Sequence, residues 1–180
     1  MKKNELNSVG LFRDNHDSLH NLSYDSAHNE YMTDSERQAI SFDQVKRKYC
    51  NGFNMSEEKS ESVDAVFESS DGIVFVEFKN GDARREKQRL RDKGNESIMI
   101  FCDLMDTTIS DTRQYIDYIV VYNEGRTTIT PQDRIRCARQ KQSHLPDALF
   151  DLGKHEGLCF RHIQTMDRKQ FNEWLQEQEG

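Results

Sequence analysis

No stretch of this sequence stays apolar for long. Its longest apolar runs are four or five residues, such as Ile98-Met99-Ile100-Phe101-Cys102. A helix crossing a bilayer needs about 20, so a helical membrane span is excluded. Met1-Lys2-Lys3-Asn4-Glu5 is basic, but no apolar segment follows it as a secretory signal would require. Cysteine is scarce: four residues, at 50, 102, 137 and 159, with no pair spaced as a C-x-x-C metal or redox motif. With no export signal, they read as free thiols of a reducing cytoplasm, packed as small buried hydrophobes. No histidine base stands beside Cys50, Cys102 or Cys137, and no triad pattern accompanies His155 and His162 near Cys159. Two prolines and nine glycines exclude collagen-like and proline-rich linker classes. A GxGxxG or Walker A loop is missing too, which disfavours a nucleotide-binding enzyme.

What is present is a polar chain of 180 residues, 34% hydrophobic and 32% charged. That length suits one domain, with room for an arm. The net charge of -7 disfavours non-specific nucleic-acid binding. It leaves open a local basic patch, and equally a basic protein partner. Residues 1–32 are rich in Asn, Asp, Ser and His without a sustained period, and read as a poorly ordered or irregular arm before a single domain over 33–180. His16 and His20 have i,i+4 spacing, with His28 further on, but no cysteine pair or strong helix pattern supports a metal site there.

Thr33-Asp34-Ser35-Glu36 has the form of a capping box, and Phe42, Val45 and Tyr49 follow at helical spacing, predicting a helix over 34–49. A polar loop over 54–61 leads to two strands, 62–68 and 73–79, joined through Asp71-Gly72 as a hairpin. A helix over 82–93 carries Ala83 and Leu90 on its apolar stripe, and strands follow over 97–104 and 118–123. Pro131 opens a helix that turns Ile135 and Ala138 inward. A late strand over 158–164 precedes a last helix capped by Asp167 to Gln170, with Phe171, Trp174 and Leu175 as its core face. The fold class is α/β, a mixed central sheet flanked by helices.

The second strand of the hairpin carries the chemistry. Val74, Val76 and Phe78 share one face; Ile73, Phe75, Glu77 and Lys79 share the other. A face that begins apolar and ends in Glu and Lys suits a central strand opening into a cleft. If a four-residue loop joins the strands, Glu68 faces Ile73, Asp64 faces Glu77, and Ser62 faces Lys79. Asp64 and Glu77 would then hold like charges with Cβ atoms about 4.5–5.5 Å apart, a cost that a hard divalent cation removes. A lysine beside a metal-bound water can orient it or neutralise phosphate charge. The plainer alternative is a surface salt bridge among strand-edge residues.

Val63-Asp64 followed by Glu77-Phe78-Lys79, on a hairpin with a helix behind it, resembles the PD-(D/E)XK nuclease superfamily of restriction-endonuclease-like folds. The likeness covers about 34–123, and its specific part is Asp64 to Lys79. It implies that Asp64, Glu77 and the Phe78 carbonyl bind Mg²⁺, with Mn²⁺ as a substitute, that Lys79 serves the attacking water, and that Glu36 assists from the preceding helix, Asp43 being the second choice. It also implies phosphodiester hydrolysis, with DNA as substrate. Val63 stands where the motif name has proline. The next helix holds six cations against three acids over 82–93. Arg84, Lys87, Gln88 and Arg91 share one side of it, suited to gripping phosphates or simply to facing solvent. Arg134, Arg136, Arg139 and Lys141 read as surface. A reading from another class stays open: a catalytically silent nuclease-like module, such as an immunity or regulatory protein that binds a partner protein.

Overall fold

The computed structural model describes residues 6–142 and 149–179. A 3-10 turn at Leu6–Ser8 leads into α1 (Gly10–Arg13), β1 (His16–Ser18), α2 (Leu19–Leu22), β2 (Tyr24–Asp25), β3 (Glu30–Tyr31), β4 (Gln38–Ser41) and α3 (Phe42–Gly52). The hairpin strands β5 (Ala65–Glu68) and β6 (Ile73–Lys79) come next, then a 3-10 turn at Ala83–Glu86, α4 (Lys87–Met105) and α5 (Ile109–Tyr115). The remainder is β7 (Ile116–Tyr122), α6 (Pro131–Gln142), β8 (His162–Asp167) and α7 (Arg168–Glu179).

Six strands form one sheet in the order β1-β4-β5-β6-β7-β8, while β2 and β3 make a separate small ribbon. The half up to β6 is antiparallel; β6, β7 and β8 are parallel, linked by helical crossovers as parallel strands require. The expected mixed sheet flanked by helices is therefore present. Two apolar layers sandwich it. On one face Ile40, Val66, Phe75 and Tyr118 pack against α3 and α4, with Phe12, Phe42 and Phe101 filling the layer. On the other, Phe67, Val74, Val76 and Ile119 meet Phe171 and Leu175 of α7, with Leu19 and Met32 beside them.

Several expectations are corrected. The segment before Thr33 is not a loose arm over its described part. β1 pairs with β4 (His16↔Ile40), and Leu6, Phe12, Leu19 and Met32 are buried. A few apolar anchors in a polar context suffice to tie it down, which is why no periodicity betrayed it. The helix expected over 34–49 starts only at Phe42; before it, Ala39 and Ile40 are both buried in strand β4, whose consecutive residues face opposite layers.

The strand expected over 97–104 is the second half of α4. Ser97, Ile98 and Phe101 are buried while Met99 is 65% exposed, a helical pattern that a short apolar run conceals. Helix α5 was not anticipated, although Thr108 and Asp111 cap it reciprocally. The late strand lies further along than expected, at β8, with Leu158 exposed. Helix α6 does start at Pro131, but Ile135 and Ala138 face outward. For Arg136, Cys137, Arg139 and Lys141, the expected side-chain placements lie outside the described side chains. The last helix matches expectation: Asp167 and Gln170 cap α7 reciprocally and Phe171 and Leu175 are buried.

Two glycines set close approaches. A Cβ on Gly94 of α4 would lie 3.0 Å from the Tyr118 ring, so this glycine lets the helix settle onto the sheet. The hydroxyl of Tyr118 donates to the Leu90 carbonyl at 2.8 Å and fixes the same contact. A Cβ on Gly72 would stand 2.1 Å from the Tyr115 carbonyl oxygen, which is backbone and cannot swing aside. Gly72→Ala is expected to destabilise the fold by about 1–3 kcal/mol, the usual cost of overpacking. The check is a lower urea midpoint with an unchanged m-value.

Candidate active site

The hairpin carries the predicted register: Ala65 pairs with Val76 and Glu68 with Ile73. Past Ala65 the register slips: the Asp64 N–H donates to the carbonyl of Val76, the residue that Ala65 already faces, at 3.1 Å. Beyond it the two strands part, and the Asp64 carboxylate fills the gap. Its Oδ2 accepts the Phe78 N–H at 2.6 Å. A strand residue presents its N–H and carbonyl to the same edge, so the Phe78 carbonyl faces that gap as well. Glu77, one residue earlier, is on the α4 face of the sheet and only 3% exposed.

The cation that meets these carboxylates comes from α4. Lys93 Nζ lies 2.7 Å from Glu77 Oε1 and 2.8 Å from Oε2, and 3.5 Å from Asp64 Oδ1. Lys79, expected in that role, turns aside: its Nζ pairs with Glu86 Oε1 at 2.5 Å. Both lysines line the same cleft of about 280 Å³, whose floor is formed by Asp64, Glu77 and Phe78. Arg89 of α4 and Glu86 just before that helix form part of one wall, and residues of the 22–32 segment form the wall opposite.

Burial dominates the electrostatics. It raises the Glu77 pKa well above the ordinary carboxylate range, and the neighbouring Asp64 charge adds to the rise while Lys93 opposes it. Burial likewise raises Asp64, against the pull of Lys93 and the Phe78 N–H. For Lys93 burial works against the charge, but Asp64 and Glu77 outweigh it and its pKa is raised. Two acids thus share one ammonium, leaving an excess negative charge that a proton or a cation can relieve.

Among the described residues, no group of three or more His, Cys, Asp or Glu side chains gathers as a ready-made metal cage. The donor set nevertheless suits Mg²⁺, which takes one or two carboxylates and fills its other positions with water and substrate oxygens. Asp64, Glu77 and the Phe78 carbonyl would hold it. Two carboxylates that share a single lysine in the lining of the cleft are the observation that favours the fit.

The other predicted residues are scattered. Glu36 is exposed, ahead of β4 rather than on a helix, and lines a different cleft beside Asn172 and Leu175 of α7, across the sheet from Glu77. The misplaced helix start produced that error. Asp43, the second choice, opens α3, accepts from the Ser62 hydroxyl, and lies close enough to push the pKa of both Asp64 and Glu77 upward. Arg84, Lys87, Gln88 and Arg91 do not line the cleft. Arg84 pairs with Asp133, Lys87 with Asp151 at 2.9 Å, and Gln88 joins Asp92 and Arg91 at 2.7 and 2.6 Å. The cleft side is instead Glu86, at the N-cap of α4, followed by Arg89, Leu90 and Lys93 of the helix. Leu90 was a signal for it: Lys93 lies three residues beyond this inward residue and Glu86 four before, hence on the same stripe. No protein-family model matches the chain, and neither a curated protein nor a solved structure matches it.

Proposed function

We propose that this chain is a metal-dependent phosphodiester hydrolase acting on nucleic acid, with a centre made of Asp64, Glu77 and Lys93. The observation that carries the reading is the pair of carboxylates at the parted end of the β5–β6 hairpin, sharing one lysine on the floor of an open cleft. The topology supports it: an antiparallel hairpin, a helical crossover and a parallel strand β7 beside β6 are the surroundings in which a restriction-endonuclease-like fold would hold such a pair. Among the described residues, the free thiols of Cys50, Cys102 and Cys159 suit a reducing cytoplasm.

When bound, Mg²⁺ would supply a Lewis acid for the phosphate oxygens and a lowered pKa for a coordinated water. The chain's own groups do the rest. The Phe78 N–H fixes Asp64 Oδ2 and so aims Oδ1 toward Glu77 and Lys93. Lys93 Nζ has hydrogens to orient the attacking water or to meet charge on the phosphate, and Lys79 brings a second ammonium to the wall of the cleft. DNA is the first substrate to try, on the family likeness alone.

The test is calorimetric titration of Mn²⁺ into wild-type protein and Asp64→Ala, followed by incubation with DNA. Saturable binding to wild type, weakened more than about a hundredfold in the variant, is the expected result. Loss of an outer partner alone commonly costs 10–100-fold in metal affinity. A wild-type protein that takes up no Mn²⁺ overturns the reading and leaves the three residues as a buried ion-pair cluster.

A further inference from the structure

The wall of the cleft opposite α4 is aromatic at its rim. Tyr24 of β2 lines the cleft and meets Tyr31 of β3 with ring centroids 4.8 Å apart. Tyr31 in turn stacks on His20 at 3.9 Å, the planes within 13°. Both tyrosines stay about two-fifths exposed, at 43% and 42%. The ribbon that bears them is firmly tied. Glu30 accepts from Asn80 at 3.3 Å and pairs with Arg168 at 2.5 Å and Arg126 at 3.0 Å, linking β3 to three separate segments. Asp25 accepts from the Ala27 N–H at 2.9 Å and pairs with His28 at 2.6 Å, closing the turn. The Tyr24 hydroxyl donates to Asn29 Oδ1 at 2.9 Å, and the two rings, held by each other and by His20, stay half-exposed beside a charged cleft without filling the core.

We infer that Tyr24 and Tyr31 form a stacking platform for an unpaired nucleobase, so that the cleft takes single-stranded or frayed nucleic acid in preference to intact duplex. The inference rests on the phosphodiesterase reading and deepens it by naming the substrate class. Three observations converge. The cleft, at about 280 Å³, is at the small end of ligand sites, a size suited to a segment of one strand rather than a duplex. Aromatic side chains bind any base through its π-face, and only an unstacked base offers that face. The lining is nearly balanced in charge, with Asp25, Asp64, Glu77 and Glu86 against Lys79, Arg89 and Lys93. Phosphate attraction alone is therefore weak here, and base contacts must supply affinity.

The experiment is fluorescence anisotropy with a 5′-labelled 12-nucleotide oligothymidylate, a 12-nucleotide strand of abasic sites with the same phosphates, and a 12-base-pair duplex. Each is titrated with full-length protein at low salt in EDTA, so that binding is read apart from metal and cleavage. The expected order is thymidylate strand tighter than duplex and abasic strand. Tyr24→Leu and Tyr31→Leu should each weaken the thymidylate strand about tenfold and leave the abasic strand unchanged. Tyr31→Phe keeps the ring and should bind as wild type. Equal affinity for thymidylate and abasic strands, no binding of any strand, or equal loss in the leucine and phenylalanine variants each overturns the platform. Because no divalent ion is present, tyrosine-dependent binding supports the platform even if Mn²⁺ calorimetry fails, and tyrosine-independent binding overturns it even if Mn²⁺ binds.

Discussion

Lys93→Met is expected to lower stability by about 3–5 kcal/mol at neutral pH without divalent metal. The side chain is 13% exposed and its partner Glu77 only 4%, so the substitution leaves two buried carboxylates without their counter-charge. Methionine keeps the length and apolar stem of the lysine, so the loss reports the missing charge rather than a cavity. Two accompaniments identify the cause. Lowering the pH should restore part of the stability, because the acids neutralise themselves by taking up protons. Added Mn²⁺ should restore part of it as well, because a cation replaces the ammonium. Urea unfolding in EDTA, repeated with Mn²⁺, reads both. Lys79→Met is the control: its pair with Glu86 is more exposed, at 19% and 34%, and is expected to cost less than about 1 kcal/mol. Equal losses in the two variants would sink the assignment of Lys93 as the internal cation.

Glu77→Gln has the opposite sign at neutral pH. Burial, then the charge of Asp64, hold the Glu77 pKa well above its ordinary value. The native state therefore keeps a proton that the unfolded chain has already released, so stability is greatest below the ordinary carboxylate range. It declines as pH rises through the raised native value. Asp64 shifts the same way. Glutamine has no proton to lose, so the variant should be more stable than wild type in EDTA at pH 7 to 8, with a flatter pH profile. The same substitution should weaken Mn²⁺ more than about a hundredfold and abolish any cleavage, since it removes a donor from the centre itself. In wild type, metal and proton compete for the pair, so Mn²⁺ affinity should climb over the pH interval in which stability falls. A variant less stable than wild type at every pH would contradict the argument. So would one that binds the ion as well.

The hairpin and the last helix were readable because their signals are local. The register of the hairpin follows from strand alternation and a four-residue connection, and the structure carries it from Glu68–Ile73 to Ala65–Val76; Asp64 and Glu77 lie just past its paired end rather than as a ladder pair. The core face of α7 was readable for the same reason. What needed the third dimension was not. Lys79 and Lys93 are both lysines near the carboxylates in sequence, and only the packing of α4 over Tyr118 decides which ammonium points inward. The five apolar residues from Ile98 to Cys102 fit a strand as well as a helix, so the extent of α4 was lost and its register with it. Glu36 failed because a capping pattern was present where no helix begins. The segment before Thr33 failed because single buried anchors leave no period.

The geometry of α4 also limits how this chain can change in length. Two points pin the helix to the entry of β5, where Glu96 Oε2 accepts the Glu61 N–H at 2.6 Å and the Ser97 hydroxyl oxygen accepts the Val63 N–H at 2.9 Å, and a third pins it to β7, where Gly94 seats the backbone on Tyr118. Lys93 sits immediately before this clamp. One residue inserted between Lys93 and Ser97 would turn the lysine about 100° around the helix axis and out of the cleft. One inserted between Ser97 and Phe101 would leave the lysine in place but turn Phe101 out of the core, so only an insertion after Met105 is absorbed, at the loop before α5. The centre and the core together thus fix the length of α4 from Lys93 to Phe101, and leave the loop after Met105 as the place where the chain can lengthen.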